Sequence, residues 1–135
     1  MEEEHMKKRY MEIQMCNYQM KEIEEQLKQV DSQLVDVDSV FDSLASVENA
    51  KQGDELLIPI SNGIFLKAKI EDNNSLFVNV GSDTVVKKSM SDSKALIMEN
   101  KSHLLKFKEQ LTHHLNALIV QEQKLREELS LAQNV

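Results

Sequence analysis

The sequence predicts an α+β chain that is mostly α: two long helices forming an antiparallel coiled coil within the chain, joined by two β-hairpins. Three observations carry this. Apolar residues recur every seven positions from Met6 and again from Ile97, and between them, from about Gly53 to Met90, the period is two. A chain of 135 residues suits one domain, expected over residues 1–135, with a helix at about 5–50, hairpins at about 54–88 and a second helix at about 91–131.

The first helix has two seams. Met6, Ile13, Met20, Leu27, Leu34 and Phe41 form one; Arg9, Cys16, Ile23, Val30, Val37 and Leu44 form the other, three residues later. All but Arg9 are apolar, and no Gly or Pro interrupts them, which is the signature of a coiled coil. At 1.5 Å per residue such a helix is roughly 65–70 Å long. Gly53 supplies a stop just past its end. The outer positions are mostly charged or polar, but near the N-terminus Met11, Met15 and Tyr18 replace them, and Tyr10 flanks the seam. Five of the seven methionines fall in the first twenty residues. Methionine is flexible and polarisable, suited to surfaces that accept varied partners, although scattered surface apolar residues are common without any function.

The middle holds two short hairpins. Glu55-Leu56-Leu57-Ile58-Pro59-Ile60 is followed by Asn62-Gly63, the strongest short hairpin signal, which predicts a type I′ turn. The run Ile64 to Ile70 alternates and predicts a half-buried strand, with Ile64, Leu66, Ala68 and Ile70 on one face. Pro59 cannot donate to a ladder, so the first strand should be an edge or irregular there. A second hairpin runs through Leu76-Phe77-Val78-Asn79-Val80, turns at Gly81-Ser82-Asp83 and returns along Thr84 to Lys88. A sheet this small is marginal alone, and its open edges invite pairing with another chain.

Ser91-Asp92-Ser93 offers caps for the second helix. One of its seams is unbroken: Ile97, Leu104, Leu111, Leu118 and Leu125. The companion is mixed: Lys101, Lys108, Leu115, Glu122 and Leu129. An apolar seam in water must be covered, and the nearest partner is the other helix of the same chain. Antiparallel pairing brings Met6 near Leu129 at a tip about 60 Å from the β unit.

Composition narrows the function. A net charge of −7 argues against a nucleic-acid surface. No apolar run is long enough to span a membrane, and the acidic opening Met1-Glu2-Glu3-Glu4 is unlike a signal peptide, so the cytoplasm is expected. Cys16, the sole cysteine, falls on a seam and reads as a small buried hydrophobe. His113 and His114 lie neither three nor four residues from His103, so no pair has helical metal-ligand spacing. No phosphate loop or nucleophile elbow is present. No enzyme activity, cofactor or metal is expected.

Glu55 to Ile70, with its hydrophobic-Pro-turn-aromatic-strand order, together with Phe77-Val78-Asn79-Val80-Gly81 and Thr84-Val85-Val86, resembles the alpha class of prefoldin subunits. The beta class has one hairpin, so two favour alpha. The resemblance implies a hexamer of two alpha-class and four prefoldin beta subunits, whose hairpins join into an intersubunit β-barrel. It also implies an ATP-independent chaperone that captures unfolded clients at the coiled-coil tips and transfers them to a group II chaperonin. Placement then assigns client contact to Met6, Tyr10, Met11, Met15, Leu129, Leu131 and Val135. It assigns assembly to Leu56, Ile58, Ile60, Phe65, Leu66, Phe77, Val78, Val80 and Val85. The competing expectation is a coiled-coil scaffold whose hairpins drive oligomerisation without clients.

Overall fold

The structure, a computed structural model, describes residues 2–133. Its elements run α1 (Glu2–Asn49), β1 (Glu55–Ser61), β2 (Ile64–Lys69), β3 (Ser75–Asn79), β4 (Val85–Ser89) and α2 (Met90–Gln133). They form two compact units, Met1–Leu34 with His103–Val135, and Val35–Ser102.

In the first unit the heptad seams do what their period requires. Ile13, Cys16, Ile23 and Val30 of α1 are buried against Leu111, Leu118, Leu125 and Leu129 of α2. Met6, Met20, Leu27, Leu34, Leu104 and Leu115 pack around them. Burying an aliphatic side chain of this size contributes roughly 1.5–3 kcal/mol, against a few tenths for a surface helix pair, so the seam dominates. Ion pairs fix its direction. Arg9 meets Glu128, and Lys108 meets Asp31 at 2.7 Å, so rising numbers in one helix meet falling numbers in the other.

These pairs also explain the mixed companion seam. Lys108 is half-buried, its stem lying along the apolar stripe while its amine reaches Asp31. In the second unit Lys101 is half-buried likewise and reaches Asp38 at 2.8 Å. Lys94, also there, pairs with Glu48 and lies over the Phe41 ring. Each pair, largely exposed, contributes at most about 1 kcal/mol. Their value is in specifying register.

The second unit holds two separate two-stranded antiparallel sheets, β1–β2 and β3–β4. The first closes at its base where Gly53 N–H donates to Ile70 and Ile70 N–H donates to Asp54. Gly53 does not end α1, which stops at Asn49; at φ +90° it sits in the turn closed by Asp54 N–H donating to the Lys51 carbonyl. Pairing slips between Pro59 and Ser61, the irregularity expected at a proline without a donor.

Three local expectations are corrected. Asn62-Gly63 does turn the chain, but only Gly63 has positive φ, the sign pattern of a type II turn, so it is not type I′. The turn with both central residues at positive φ is at Ser82 (50°) and Asp83 (57°), closed by Thr84 N–H donating to Gly81. The cap of α2 is Ser89, whose hydroxyl accepts from Asp92 N–H at 3.0 Å, rather than Ser91-Asp92-Ser93. Finally, β2 is not half-buried: only Ala68 among its residues is partly covered. Two strands present two faces, and neither face of this pair is packed on enough of its own chain to be covered.

The segment between the hairpins is tied down by side chains. Asp72 accepts from Asn74 N–H and from the Ser75 hydroxyl, both at 2.9 Å. These bonds favour the carboxylate and hold the Asp72 carboxyl below its ordinary range. With the folded value lowered, the contribution is present above the ordinary carboxylate range and is lost as pH falls through the lowered value. Asn73 donates its amide to the Val47 carbonyl at 3.3 Å and the Ala50 carbonyl at 2.5 Å, satisfying acceptors that the end of α1 leaves open. Asn73→Ala should therefore destabilise by about 1–2 kcal/mol, read as a lower denaturant midpoint by circular dichroism. Gly63→Ala should cost about 1 kcal/mol through φ alone, because a Cβ there would meet nothing within 4 Å.

Candidate functional site: two uncovered apolar surfaces

The first surface lies on the strands. Residues directly opposite in an antiparallel pair share a face. Leu56 pairs with Ala68 and Ile58 with Leu66, giving β1–β2 one face that is wholly apolar at its centre. Its opposite face carries Leu57, Pro59 and Phe65 beside the Glu55–Lys67 ion pair. Leu56, Ile58, Ile60, Phe65 and Leu66 are all exposed. So are Leu57, Ile64 and Val86, which the expected assembly residues did not include.

In β3–β4, Phe77 is 75% exposed, and Val80 and Val85 are exposed too. Val78 behaves differently. It is half-buried and, with Leu76, Phe77 and Asn79, lines a cleft against Val40 and Leu44 of α1 and Leu96 and Ile97 of α2. Val78 therefore joins its hairpin to its own helices, and the face carrying Phe77 and Val85 is the open one. The Ser93 hydroxyl is buried at this cleft with no partner.

The second surface lies where the start of α1 meets the end of α2. Tyr10, Met11, Met15 and Leu131 are exposed, Met11 at 70%. Tyr18 joins them at 62%. Met6 and Leu129 do not. Leu129 is 8% exposed and Met6 packs on the core, because both are seam positions used in pairing the helices. Val135 lies outside the described residues. Residues 13 to 20 carry no charged side chain, so this stretch of α1 is uncharged on every face.

Cys16 is buried in the seam, and burial, then Glu122, then Glu12 push its thiol up from the ordinary value. Glu122, in the companion seam, pairs with Arg126 one turn on. The Tyr18 hydroxyl is raised by its hydrogen bond to Glu22. Among the described residues no three His, Cys, Asp or Glu are grouped to hold a metal ion, and no helix is long and apolar enough to cross a membrane.

Two helices paired antiparallel and joined by two hairpins with exposed apolar faces define a coiled-coil and hairpin fold. The comparisons agree. The family model described as prefoldin subunit matches residues 16–134, and the chain belongs to the prefoldin subunit family. It is 43% identical over 53 residues to prefoldin subunit alpha 1 of Methanocaldococcus jannaschii, covering 39% of this chain and 37% of that one. It is 26% identical over 77 residues to prefoldin subunit alpha of Thermofilum pendens, covering 57% and 60%. Both matches span less than two thirds of the relative. A longer match, to prefoldin subunit alpha of Methanococcus maripaludis, is 25% identical over 112 residues and covers 83% and 76%. The fold is also that of the filamentous PFD of Methanocaldococcus jannaschii, solved by cryo-electron microscopy: TM-score 0.79, 17% identity, 88% of this chain and 98% of that chain.

With its pKa raised, the Cys16 thiol is mostly protonated near neutrality. It should react with a soluble disulfide reagent at pH 7.5 at least ~10-fold more slowly than the same protein unfolded in denaturant. Equal rates would show that the seam opens freely at that level.

Proposed function

We propose that the chain is an alpha-class subunit of an ATP-independent chaperone of the cytoplasm. Its open strand faces join beta-class partners in a hexamer of two alpha and four beta subunits, their hairpins forming a β-barrel. The paired ends of α1 and α2 hold unfolded proteins, which pass to a group II chaperonin.

The single observation that carries the client reading is the group Tyr10, Met11, Met15 and Tyr18, large side chains left in water on a helix whose seam is already used. Leu131 extends the group on α2. Met6 and Leu129 belong to the seam and are not part of the group. An unfolded chain exposes apolar side chains without fixed geometry, so the holder needs adaptable contacts rather than a pocket. Each contact is weak, and several arms engaging at once supply avidity. Release needs no nucleotide, since the next chaperone competes for the same residues.

The assembly reading rests on energetics. Eight or so strand residues, each about half exposed, would gain roughly 1 kcal/mol apiece on burial. That is comparable with the cost of bringing two proteins together, so it supports association without making it overwhelming.

The test is light scattering from a chemically unfolded protein diluted without ATP, in the presence of this chain and a beta-class partner. The intact complex should suppress aggregation. A complex with Met11→Ser, Met15→Ser and Tyr18→Ser should assemble to the same mass yet lose at least half of the suppression. If the two complexes suppress equally, those side chains do not hold clients. If neither suppresses although both assemble, the chain is a scaffold.

A further inference from the structure

The exposed group on α1 has a direction. Lys8, Met11, Met15, Tyr18 and Glu22 are spaced three, four, three and four residues apart, which places them in one line on the helix side opposite the seam. All five are exposed. The line begins with a cation, ends with an anion and is uncharged and apolar between them. Tyr18 bonds to Glu22 and so holds that carboxylate beside the stripe.

Such a line is complementary to itself when reversed. We propose that this face of α1 binds the same face of a second copy of the chain, antiparallel, about a two-fold axis through Met15. Met15 then meets Met15 of the second copy on the axis, while the contacts of Met11 with Tyr18 and of Lys8 with Glu22 are each made twice, as an isologous interface requires. Continuing outward along the same line, Glu4 falls opposite Glu25, so the two Lys8–Glu22 contacts are flanked by like charges that weaken the association further. A parallel arrangement in register would instead set Lys8 against Lys8 and Glu22 against Glu22.

The interface is small. Three apolar side chains a side give a weak, salt-sensitive association rather than a permanent dimer. It would cover the residues proposed to hold clients whenever no client is present. The self-association itself does not depend on client holding and is measured without any client.

Because the strand faces also invite association, mass alone does not test the idea; a site-specific cross-link does. The full chain carrying Met15→Cys, with Cys16→Ala to remove the native thiol, should form a disulfide-linked dimer under mild oxidation. Its rate should exceed that of Asn17→Cys in the same background by about fivefold or more, Asn17 lying off the stripe. Adding Lys8→Glu or Glu22→Lys alone should slow the Met15→Cys cross-link by about tenfold, and adding both should restore it to within about twofold. Circular dichroism confirms that each variant keeps its helices. Equal cross-linking at positions 15 and 17, or single charge reversals without effect, would overturn the proposal. So would reversals whose combination fails to restore the rate.

Discussion

The pairing of α1 with α2 uses up the apolar stripe of both helices, and the exposed apolar residues of the molecule follow from it. Ile13, Cys16, Ile23 and Val30 close on Leu111, Leu118, Leu125 and Leu129, and these eight side chains are not available to cover other surfaces. Within the unit that holds the hairpins, the helices lend Val40, Leu44, Leu96 and Ile97 to one side of β3–β4. The remaining faces, with Leu56, Ile58, Leu66, Phe77 and Val85, stay in water. A hairpin is marginal unless it packs on something, so this arrangement makes sense for a subunit and little sense for an isolated chain.

Charge refines what the seam begins. Apolar seams alone tolerate slippage by a heptad and pairing in either direction. The companion seam of α2 substitutes Lys101 and Lys108 for apolar residues, and α1 answers with Asp38 and Asp31. Near the chain termini the polarity is reversed, with Arg9 on α1 and Glu128 on α2. A shift of either helix by one heptad would separate these partners, so the exchange gives up some burial for a defined register.

Much of this was legible in the sequence because helices and strands bury at different periods. The seams of α1 were read residue by residue, down to Cys16 as a core residue. What escaped has local physical causes. Asn62-Gly63 is the stronger turn signal, yet type I′ geometry is adopted at Ser82-Asp83, where a glycine precedes the turn and the short flanking strands demand it. Ser89 caps α2 because β4 runs straight into the helix and leaves no linker for Ser91 to Ser93 to end. Met6 and Leu129, expected among the exposed residues at the chain ends, pack in the seam instead. Position near a terminus says nothing about which side of a helix a residue takes, and the heptad register that decides it puts both in the seam.

The central claim is that the open strand faces are an assembly surface. Hydrogen exchange of the chain, alone and with a beta-class partner, tests it directly. The account predicts that amides of β1 to β4 exchange readily in the chain alone and gain at least ~10-fold protection in the complex. Protection gained only in α1 and α2, with the strands unchanged, would contradict it.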